Sequence, residues 1–392
     1  MKIRRIGILT GGGDVPGLNS VIKSVVYRGW ERGAETVGIR RGFEGLTHVN
    51  LDDLASTEKY ILPLTRENTR TIDRTGGTVL HSTRVGPTRV RHLPAHLHHK
   101  ALRGTEGKGG MTFDLTEQVI ENLERLRIDA LIAIGGDGTL KSAAQLSQKG
   151  VRVMGIPKTM DNDVRSTEYC IGFSTAISRA TAAIDRQRTT IGSHERIGIF
   201  RIFGRDAGFT ALYAAHATSN RCVIPEHKVD LDKLISLLLA EKKENPSNYV
   251  LVILAEGAAW HGYEVQEFGH VDALGRRKKA SVAQVLADEI AHRTSEETIV
   301  SDLTYDLRSG DPDFIDKLVG STFGTMALDA LVAGDHGKMS AIVNGCYALV
   351  PLPAPELGAR RVDVATMYNT DRYRPLYGNK VGLPIFLNPD RG

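Results

Sequence analysis

The residues of this 392-residue chain that are best suited to chemistry stand in polar loops directly after short apolar runs. The first loop, Thr10-Gly11-Gly12-Gly13-Asp14-Val15-Pro16-Gly17, follows the apolar residues 6–9. Glycines let a ligand approach the backbone closely, and free N–H groups at the start of the next helix attract phosphate. The loop matches neither common Gly-rich nucleotide-binding pattern, so by itself it is equally compatible with phosphate binding and with a tight turn.

The second loop, Gly135-Gly136-Asp137-Gly138-Thr139, ends the apolar run of residues 130–134. In open α/β sheets, ligands bind at the carboxyl ends of the strands. Asp137 is a suitable ligand for Mg²⁺, which takes carboxylate and phosphate oxygens, and it could equally cap the following helix. The two roles are compatible, and the glycine cluster favours a ligand.

The third loop, Pro157-Lys158-Thr159-Met160-Asp161-Asn162-Asp163, follows the apolar residues 151–156. Two carboxylates two residues apart, with a lysine and a hydroxyl, are poor core material, and the alternative is a solvated polar turn. At the end of a strand and opposite a glycine loop, this set suits phosphoryl transfer. One carboxylate can accept the proton of an attacking alcohol, and the other can reach a metal through water.

Two arginines flank a fourth apolar run, residues 197–203. Arg196 ends Ser193-His194-Glu195-Arg196, and Arg205 lies in Phe203-Gly204-Arg205-Asp206-Ala207-Gly208. A guanidinium group can hold phosphate through two parallel hydrogen bonds. Taken one at a time, these arginines are better explained as surface residues beside a strand.

The elements that position these loops alternate between short apolar runs and helical patterns. This alternation predicts an α/β fold with parallel sheets and helices on both faces. Strands are predicted at residues 6–9, 36–39, 130–134, 151–156, 197–203 and 250–254, and helices at 18–32, 140–148, 207–218, 281–293 and 313–332. The echo of Arg5-Ile6-Gly7-Ile8 in Arg196-Ile197-Gly198-Ile199 is weak evidence for an internal duplication.

Composition limits the class of protein. With 41% hydrophobic and 24% charged residues, the chain is neither disordered nor a small disulfide scaffold, and it is long enough for two domains. A net charge of +4 indicates neither a nucleic-acid nor a membrane partner. Three widely spaced cysteines and an N-terminal apolar run too short for a signal or a membrane helix predict a cytoplasmic protein.

Two further segments stand out. Residues 85–110 combine basic residues, histidines and glycines with a single acid, Glu106, which predicts an exposed loop near an anionic ligand or a solvated insertion. A zinc site is disfavoured because Pro94 interrupts the spacing of His92 and His96. Residues 367–377 are rich in aromatics and arginine, which fits a strap over the fold, a cover over the donor site or a subunit contact.

The motifs GGGDVPGLN, GGDGT, PKTMDND, GFSTA, SHERI, FGRDAG, IPE and AEGA, in this order, resemble the 6-phosphofructokinase family from residue 3 to about residue 335. The resemblance implies two similar three-layer α/β domains with mostly parallel sheets and the active site in the cleft between them. Residues 1–160 would bind the phosphate donor, 161–345 the sugar phosphate, and 346–392 would form an extension, with the chain able to cross back to the first domain near its C-terminus. It also implies a homo-oligomer, a dimer or tetramer, that transfers a phosphoryl group to the 1-hydroxyl of fructose 6-phosphate with Mg²⁺.

The same resemblance assigns roles to individual residues. Asp161 is the expected base, assisted by Thr159, and Arg205 is expected to stabilise the transferring phosphoryl group. Asp137 and Asp163 are expected to hold Mg²⁺. The expected donor-site residues are Gly12, Arg84, Gly136, Gly138, Thr139 and Lys158, and the expected sugar-site residues are Thr159, Asp161, Arg196, Phe203, Gly204, Arg205, Glu256, Tyr305 and Arg308. Arg196 is expected to reach the sugar phosphate bound by a neighbouring subunit.

Two positions bear on the phosphate donor. Pyrophosphate users of this family typically carry an acidic residue at the position of Gly138, where a side chain would crowd the α-phosphate of a nucleotide. Many of them carry lysine at the position of Lys158, whose charge would help either donor. The combination favours ATP, with pyrophosphate as the alternative.

The sugar site departs from the family pattern. Glu297-Thr298-Ile299 occupies the place of a phosphate-binding arginine, and Arg293 stands a short distance upstream. Loss of such a partner weakens phosphate binding, so another phosphorylated ketose, such as sedoheptulose 7-phosphate, is an alternative acceptor. A lipid-kinase-like or NAD-kinase-like enzyme shares GGDGT but not the later motifs. A non-catalytic sugar-phosphate sensor would be expected to lack Asp161 or Asp137.

Overall fold

The computed structural model describes residues 3–100, 102–107, 110–263, 267–269, 278–279, 281–354 and 357–378. Within these residues the strands are β1 Arg5–Thr10, β2 Glu35–Ile39, β3 Ile61–Leu64, β4 Thr105–Gly107, β5 Gly110–Thr112, β6 Ala130–Gly135, β7 Val153–Pro157, β8 Ile197–Ile202, β9 Arg221–Val223, β10 Val250–Ala255, β11 Glu267–Phe268, β12 Lys278–Lys279, β13 Thr298–Asp302, β14 Lys338–Val343, β15 Cys346–Pro351, β16 Tyr368–Asn369 and β17 Arg374–Pro375. The α-helices are α1 Leu18–Arg32, α2 Phe43–His48, α3 Leu54–Tyr60, α4 Thr116–Arg125, α5 Asp137–Gln148, α6 Phe173–Ser193, α7 Phe209–Thr218, α8 Leu231–Glu244, α9 Val282–Arg293, α10 Phe314–Val332 and α11 Val364–Met367.

Two sheets organise the chain. The larger has the strand order β15-β14-β7-β6-β1-β2-β3, and all its neighbours are parallel except the edge strands β3 and β15. The smaller has the order β13-β8-β10-β9 and is parallel throughout. The predicted α/β class with mostly parallel sheets is therefore confirmed.

Side chains of the large sheet alternate between two hydrophobic cores, because successive residues of a strand point to opposite faces. Ile6 and Ile8 of β1 pack toward α1 and α10, whereas Leu9 faces the core that contains residues of α2, α4 and α5. β6 is buried at all six positions, as expected for a parallel strand covered by helices on both sides. The larger core also continues into the small sheet through Ile197 and Ile199.

Helix α10 connects the second half of the chain to the first. A Cβ atom at Gly324 would lie 2.1 Å from Ser24 Oγ and 2.9 Å from the Val21 carbonyl oxygen, so the glycine is needed for α10 to approach α1 closely. After α10 the chain returns to the large sheet as the hairpin of β14 and β15. Asn344 and Gly345 turn this hairpin with φ values of 51° and 74°, the conformation of a two-residue type I′ turn.

Most predicted elements are confirmed within a few residues of their predicted ends, and the helix at 18–32 coincides with α1. The sequence-based prediction omits several elements, among them α4, α6, α8, β13, β14 and β15. Strands β14 and β15 belong to the large sheet, and the division of the chain at residues 160 and 345 stays a prediction. No helix among the described residues is long and apolar enough to cross a membrane.

The two unusual segments each pack on the main fold. Residues 85–107 include a short 3₁₀ helix, Ala95–Lys100, and are held by a small core of Val90, Leu97 and Leu115. In the described part of the chain, no three His, Cys, Asp or Glu side chains are grouped to hold a metal ion. The tail, residues 357–378, lies partly along β9. There Tyr368 donates a hydrogen bond to the Cys222 carbonyl, and the Cys222 N–H donates to the Tyr373 carbonyl. It forms a strap at the edge of the second sheet.

Candidate active site

The three polar loops meet at one edge of the large sheet. Strands β1, β6 and β7 are adjacent and parallel, with Thr10 beside Ile134 and Gly135 beside Pro157. The Gly11 N–H donates to the Ile134 carbonyl at 2.9 Å, and the Lys158 N–H donates to the Gly135 carbonyl at 3.0 Å. The parallel arrangement therefore brings together carboxyl-terminal ends that are more than a hundred residues apart in the chain.

Two glycines in these loops are required by the packing of Thr139. A Cβ atom at Gly11 would lie 2.4 Å from Thr139 Oγ1, and one at Gly135 would lie 2.3 Å from Thr139 Cβ. The Thr139 side chain thus fills the space between the two strand ends. Gly138 is different, because a Cβ atom there would have no neighbour within 4 Å. The surface at Gly138 is open, whereas a Cβ atom at Gly136 would lie 3.4 Å from the Lys158 carbonyl oxygen.

Lys158 is a buried cation beneath the first glycine loop. Its side chain is 4% exposed, and Nζ donates to the Gly13 carbonyl at 2.5 Å. Burial lowers the pKa of Lys158 to about 8, and the positive charges of Arg308 and Arg84 act in the same direction. Arg84 follows Thr83, whose carbonyl accepts from the Gly12 N–H at 2.8 Å, so Arg84 also borders this loop.

Asp161 is a carboxyl group of the third loop whose pKa is raised. Burial raises its pKa well above its ordinary range, and the charges of Asp163 and Glu256 add to the rise. Its Oδ1 is buried without a hydrogen-bond partner among the described residues, while its backbone N–H donates to Thr159 Oγ1 at 3.1 Å. An unpaired buried carboxylate oxygen is an acceptor available to a ligand hydroxyl.

Asp137 and Asp163 lie close enough for their charges to interact. Burial raises the pKa of Asp163, the Thr159 hydroxyl bound to it acts in the opposite direction, and the nearby charge of Asp137 adds to the rise. Asp137 also pairs with Lys141 at 2.9 Å. Neighbouring carboxylates suit Mg²⁺, which uses one or two protein carboxylates and completes its shell with water and phosphate oxygens, and a magnesium site at these two residues stays a prediction.

Arg308 reaches the first glycine loop from the second half of the chain. A Cβ atom at Gly13 would lie 2.6 Å from Arg308 Nη2, so the guanidinium group and the loop are in contact. The guanidinium carbon lies 5.3 Å from the centre of the Phe203 ring and 5.5 Å from that of Tyr305. Its charge lowers the pKa of Asp161 as well as that of Lys158, so Arg308 lies near both groups.

The turns after β8 and β10 complete the site. The Gly257 N–H donates to the Gly204 carbonyl at 3.0 Å, and Gly204 has a φ of 124°, which strongly favours glycine. A Cβ atom at Gly257 would lie 2.0 Å from the Arg205 carbonyl oxygen. These turns pack tightly and place Glu256 near Asp161, so sequence-predicted residues of both sheets come together.

Arg196 is the exception. It precedes β8, whereas Phe203 and Gly204 follow that strand, so about 20 Å separates them at 3.3 Å per residue. Arg196 forms a short ion pair with Glu297 at this far end. Arg293 pairs with Asp232 at 2.5 Å and with Glu289 at 2.8 Å. That Arg196 serves a neighbouring subunit remains a prediction.

One residue beside the site was missed by the sequence reasoning. Arg360 is 3% exposed, and its Nη2 donates to the Asn162 carbonyl at 2.6 Å, between the two carboxylates of the third loop. Arg360 lies in a segment without motif or periodicity, so no signal in the sequence marks it.

Comparison with known proteins places this arrangement in a family. The phosphofructokinase family model matches residues 5–331. A relative from Amycolatopsis mediterranei named pyrophosphate–fructose 6-phosphate 1-phosphotransferase is 37% identical over 341 residues, which cover 86% of this chain and 90% of the relative. A relative from Streptomyces coelicolor named ATP-dependent 6-phosphofructokinase 3 is 35% identical over 351 residues, which cover 89% of this chain and 93% of the relative.

Solved structures agree at the level of the fold. A pyrophosphate-dependent phosphofructokinase from Nitrosospira multiformis matches with a TM-score of 0.75 at 16% identity, over 95% of this chain and 89% of that one. At this identity the likeness concerns the fold alone.

Proposed function

This chain belongs to the phosphofructokinase family, and from that premise we propose that it transfers the terminal phosphoryl group of ATP to the 1-hydroxyl of fructose 6-phosphate. The observation that carries the proposal is the buried, unpartnered Oδ1 of Asp161 where the polar loops of both sheets meet. The products are fructose 1,6-bisphosphate and ADP. The metabolites and the three unpaired cysteines fit a cytoplasmic location.

In the proposed reaction, Asp161 accepts the proton of the sugar 1-hydroxyl as its oxygen attacks the terminal phosphorus. A new O–P bond forms, the bond from that phosphorus to the bridging oxygen breaks, and the electron pair leaves with ADP. A sugar hydroxyl is barely ionised at neutral pH, so a base is needed as the bond forms.

Asp137 and Asp163 would hold Mg²⁺, which neutralises charge on the donor phosphates. Thr159 bonds the loop's own backbone and carboxylate, so it orients Asp161 and Asp163 as well as facing the sugar. Arg205 stabilises charge on the transferring group. Phe203, Gly204, Glu256, Tyr305 and Arg308 form the sugar site, and Gly12, Arg84, Gly136, Gly138, Thr139 and Lys158 form the donor site.

The open space at Gly138 favours ATP, because it leaves room for phosphate groups beyond the transferred one. Pyrophosphate is the second candidate. Buried Lys158 offers a positive charge to a compact donor, and the Amycolatopsis relative is named for pyrophosphate.

Fructose 6-phosphate is the proposed acceptor, with another phosphorylated ketose as the second candidate. Glu297 favours the second, because it neutralises the Arg196 charge that would bind the sugar phosphate. Since Arg196 lies far from the site of its own chain, the proposal includes a homo-oligomer, a dimer or tetramer, in which it serves a neighbour.

Side-by-side assays with Mg²⁺ test these proposals, using ATP or pyrophosphate as donor and fructose 6-phosphate or sedoheptulose 7-phosphate as acceptor. Turnover of fructose 6-phosphate with ATP, lost in Asp161→Ser while ligand binding persists, is the expected result. Turnover with pyrophosphate and not with ATP would show that pyrophosphate is the phosphate donor. Binding of sugar phosphate without turnover of any pair would favour a sensor.

A further inference from the structure

The tail of the chain places a buried cation behind the third loop. The Arg360 guanidinium lies 4.6 Å from the centre of the Phe209 ring, and the residue is 3% exposed. Removing a guanidinium from water is costly unless its N–H groups are bonded. Here they donate to the Asn162 carbonyl at 2.6 Å and to the Thr167 carbonyl through a short hydrogen bond. The buried charge thus serves to hold backbone oxygens.

Those oxygens belong to the segment that carries both carboxylates. The backbone N–H of Arg360 also donates to the Asp163 carbonyl at 2.7 Å, so one residue holds the two consecutive carbonyls of Asn162 and Asp163. Asn162 has a φ of 53°, the left-handed conformation that asparagine adopts more readily than other residues with a Cβ atom, and its hydrogen bonds hold it there.

Asn162 is held from its side chain as well. Its Nδ2 donates to the Glu168 carbonyl at 2.9 Å, and its Oδ1 accepts from the Cys170 N–H at 2.8 Å. These bonds come from the same stretch of chain, residues 168–170. Arg360, by contrast, holds the loop from a segment almost 200 residues further along, and so ties the loop to the tail.

The same tail segment is anchored to the second half of the site. The Val362 N–H donates to Glu226 Oε1 at 2.8 Å, and that carboxylate also accepts from the Gly208 N–H at 3.0 Å. Gly208 ends the FGRDAG motif that contains Arg205, and Phe209, under the Arg360 guanidinium, begins α7. Residues 360–362 therefore join the loop of Asp161 to the turn of Arg205.

We propose that Arg360 is a positioning residue for phosphoryl transfer, which sets the placement of Asp161 and Asp163 relative to Arg205 by holding the Asn162 and Asp163 carbonyls. This inference rests on the proposed function. Its physical basis is that a base displaced by about 1 Å from the attacking oxygen loses on the order of a hundredfold in rate. The planar fork of the Arg360 side chain donates to the Asn162 and Thr167 carbonyls at once, whereas a methionine of similar volume donates to neither. The backbone N–H that bonds the Asp163 carbonyl is kept in every variant of residue 360.

The test compares Arg360→Met and Arg360→Lys with a matched control, Arg221→Met. Arg221 is also buried, pairs with Glu241 at 2.8 Å and binds the Arg372 carbonyl, so it holds the tail at a point that does not contact the third loop. Both methionine variants remove a buried guanidinium from the tail contact. Thermal unfolding of each identifies a temperature at which all the variants are folded.

Arg360→Met is expected to lower kcat ten- to a hundredfold while KM for donor and sugar changes less than about threefold. Arg360→Lys is expected to recover part of kcat, and Arg221→Met to keep it. Amide hydrogen exchange in residues 158–172 should speed up in Arg360→Met and not in Arg221→Met.

Unchanged kcat in Arg360→Met, or equal losses of kcat and equal exchange in the two methionine variants, would overturn the inference. Wild-type protein that turns over no donor and acceptor pair would overturn the proposed function instead. The exchange comparison still decides in that case whether Arg360 holds the loop.

Discussion

Replacing Lys158 with methionine separates the effect of this lysine on the stability of the fold from its effect on binding of the phosphate donor. Burial lowers the pKa of Lys158 from its ordinary 10.5 to about 8. A fall of about 2.5 in pKa means that folding makes the charged form about 3 kcal/mol less stable relative to the neutral form. The group is fully buried, so solvent screening does not reduce this figure greatly.

The sign of the pH effect follows from proton uptake. Between pH 8 and 10.5 the unfolded chain keeps the Lys158 proton while the folded chain has released it, so the wild type gains stability as pH rises. Below pH 8 the folded protein carries the full cost of the buried charge. Lys158→Met has no such group, and it loses the hydrogen bond to the Gly13 carbonyl at every pH. The pH dependence of the difference is therefore independent of that lost bond.

Urea unfolding of wild type and Lys158→Met at intervals from pH 7 to 10.5 measures this difference. The wild type should gain about 3 kcal/mol relative to Lys158→Met across the window from pH 8 to 10.5, with no relative change below it. A saturating concentration of the phosphate donor should move this gain in stability to higher pH, because bound phosphate favours the charged lysine. A flat difference across the whole range, with and without donor, would refute a buried lysine of lowered pKa at this site.

Three other substitutions test the donor site, the sugar site and a buried carboxyl group of the core. Gly138→Asp should raise KM for ATP by as much as a thousandfold, because two like charges about 4 Å apart repel by about 4 kcal/mol at an effective dielectric constant of 20. The fold should be little affected, and so should KM in the neutral control Gly138→Ala, because a Cβ atom at this position meets open space. Kinetics with ATP and pyrophosphate measure this, and an unchanged KM for ATP would place the nucleotide elsewhere. Glu297→Gln should lower KM for the sugar phosphate up to about fivefold, since it frees Arg196 from an exposed pair of about 1 kcal/mol or less; an unchanged KM would exclude Arg196 from phosphate binding. Asp316 is a buried carboxyl group of α10 that accepts hydrogen bonds from the Gly172 N–H at 2.7 Å and the Tyr169 hydroxyl at 2.5 Å, and burial raises its pKa to about 6. The wild type should therefore lose up to about 3 kcal/mol relative to Asp316→Asn as pH rises from 4 to 6, as measured by urea unfolding, and a constant difference would contradict that raised pKa.

Local sequence patterns accounted for the strands and helices that were predicted and for the three polar loops. Apolar runs that end in GGGD, GGDGT and PKTMDND predict strands followed by ligand loops, because such loops at parallel strand ends come to one edge of a sheet. Helix α1 was predictable to the residue, since its apolar spacing and the following Gly33 are contained in its own sequence. The order of the motifs was enough to indicate the family.

Long-range packing accounted for the rest. Asn344-Gly345 between two apolar runs is a local signal for the hairpin of β14 and β15, but only the tertiary structure decides that this hairpin pairs beside β7. The close packing of Thr139 against Gly11 joins two loops that lie far apart in the chain.

The sequence by itself determined which groups could act, because residue type and spacing near strand ends are local properties. Only the tertiary structure decided how they would act. The pKa values of Lys158 and Asp161 move because segments far away in sequence remove water from them and bring charges close. Arg308 reaches the Gly13 loop from the second half of the chain, and Arg360 lies behind Asn162 although almost 200 residues separate the two. Local patterns do not record these contacts, because they depend on how distant segments pack.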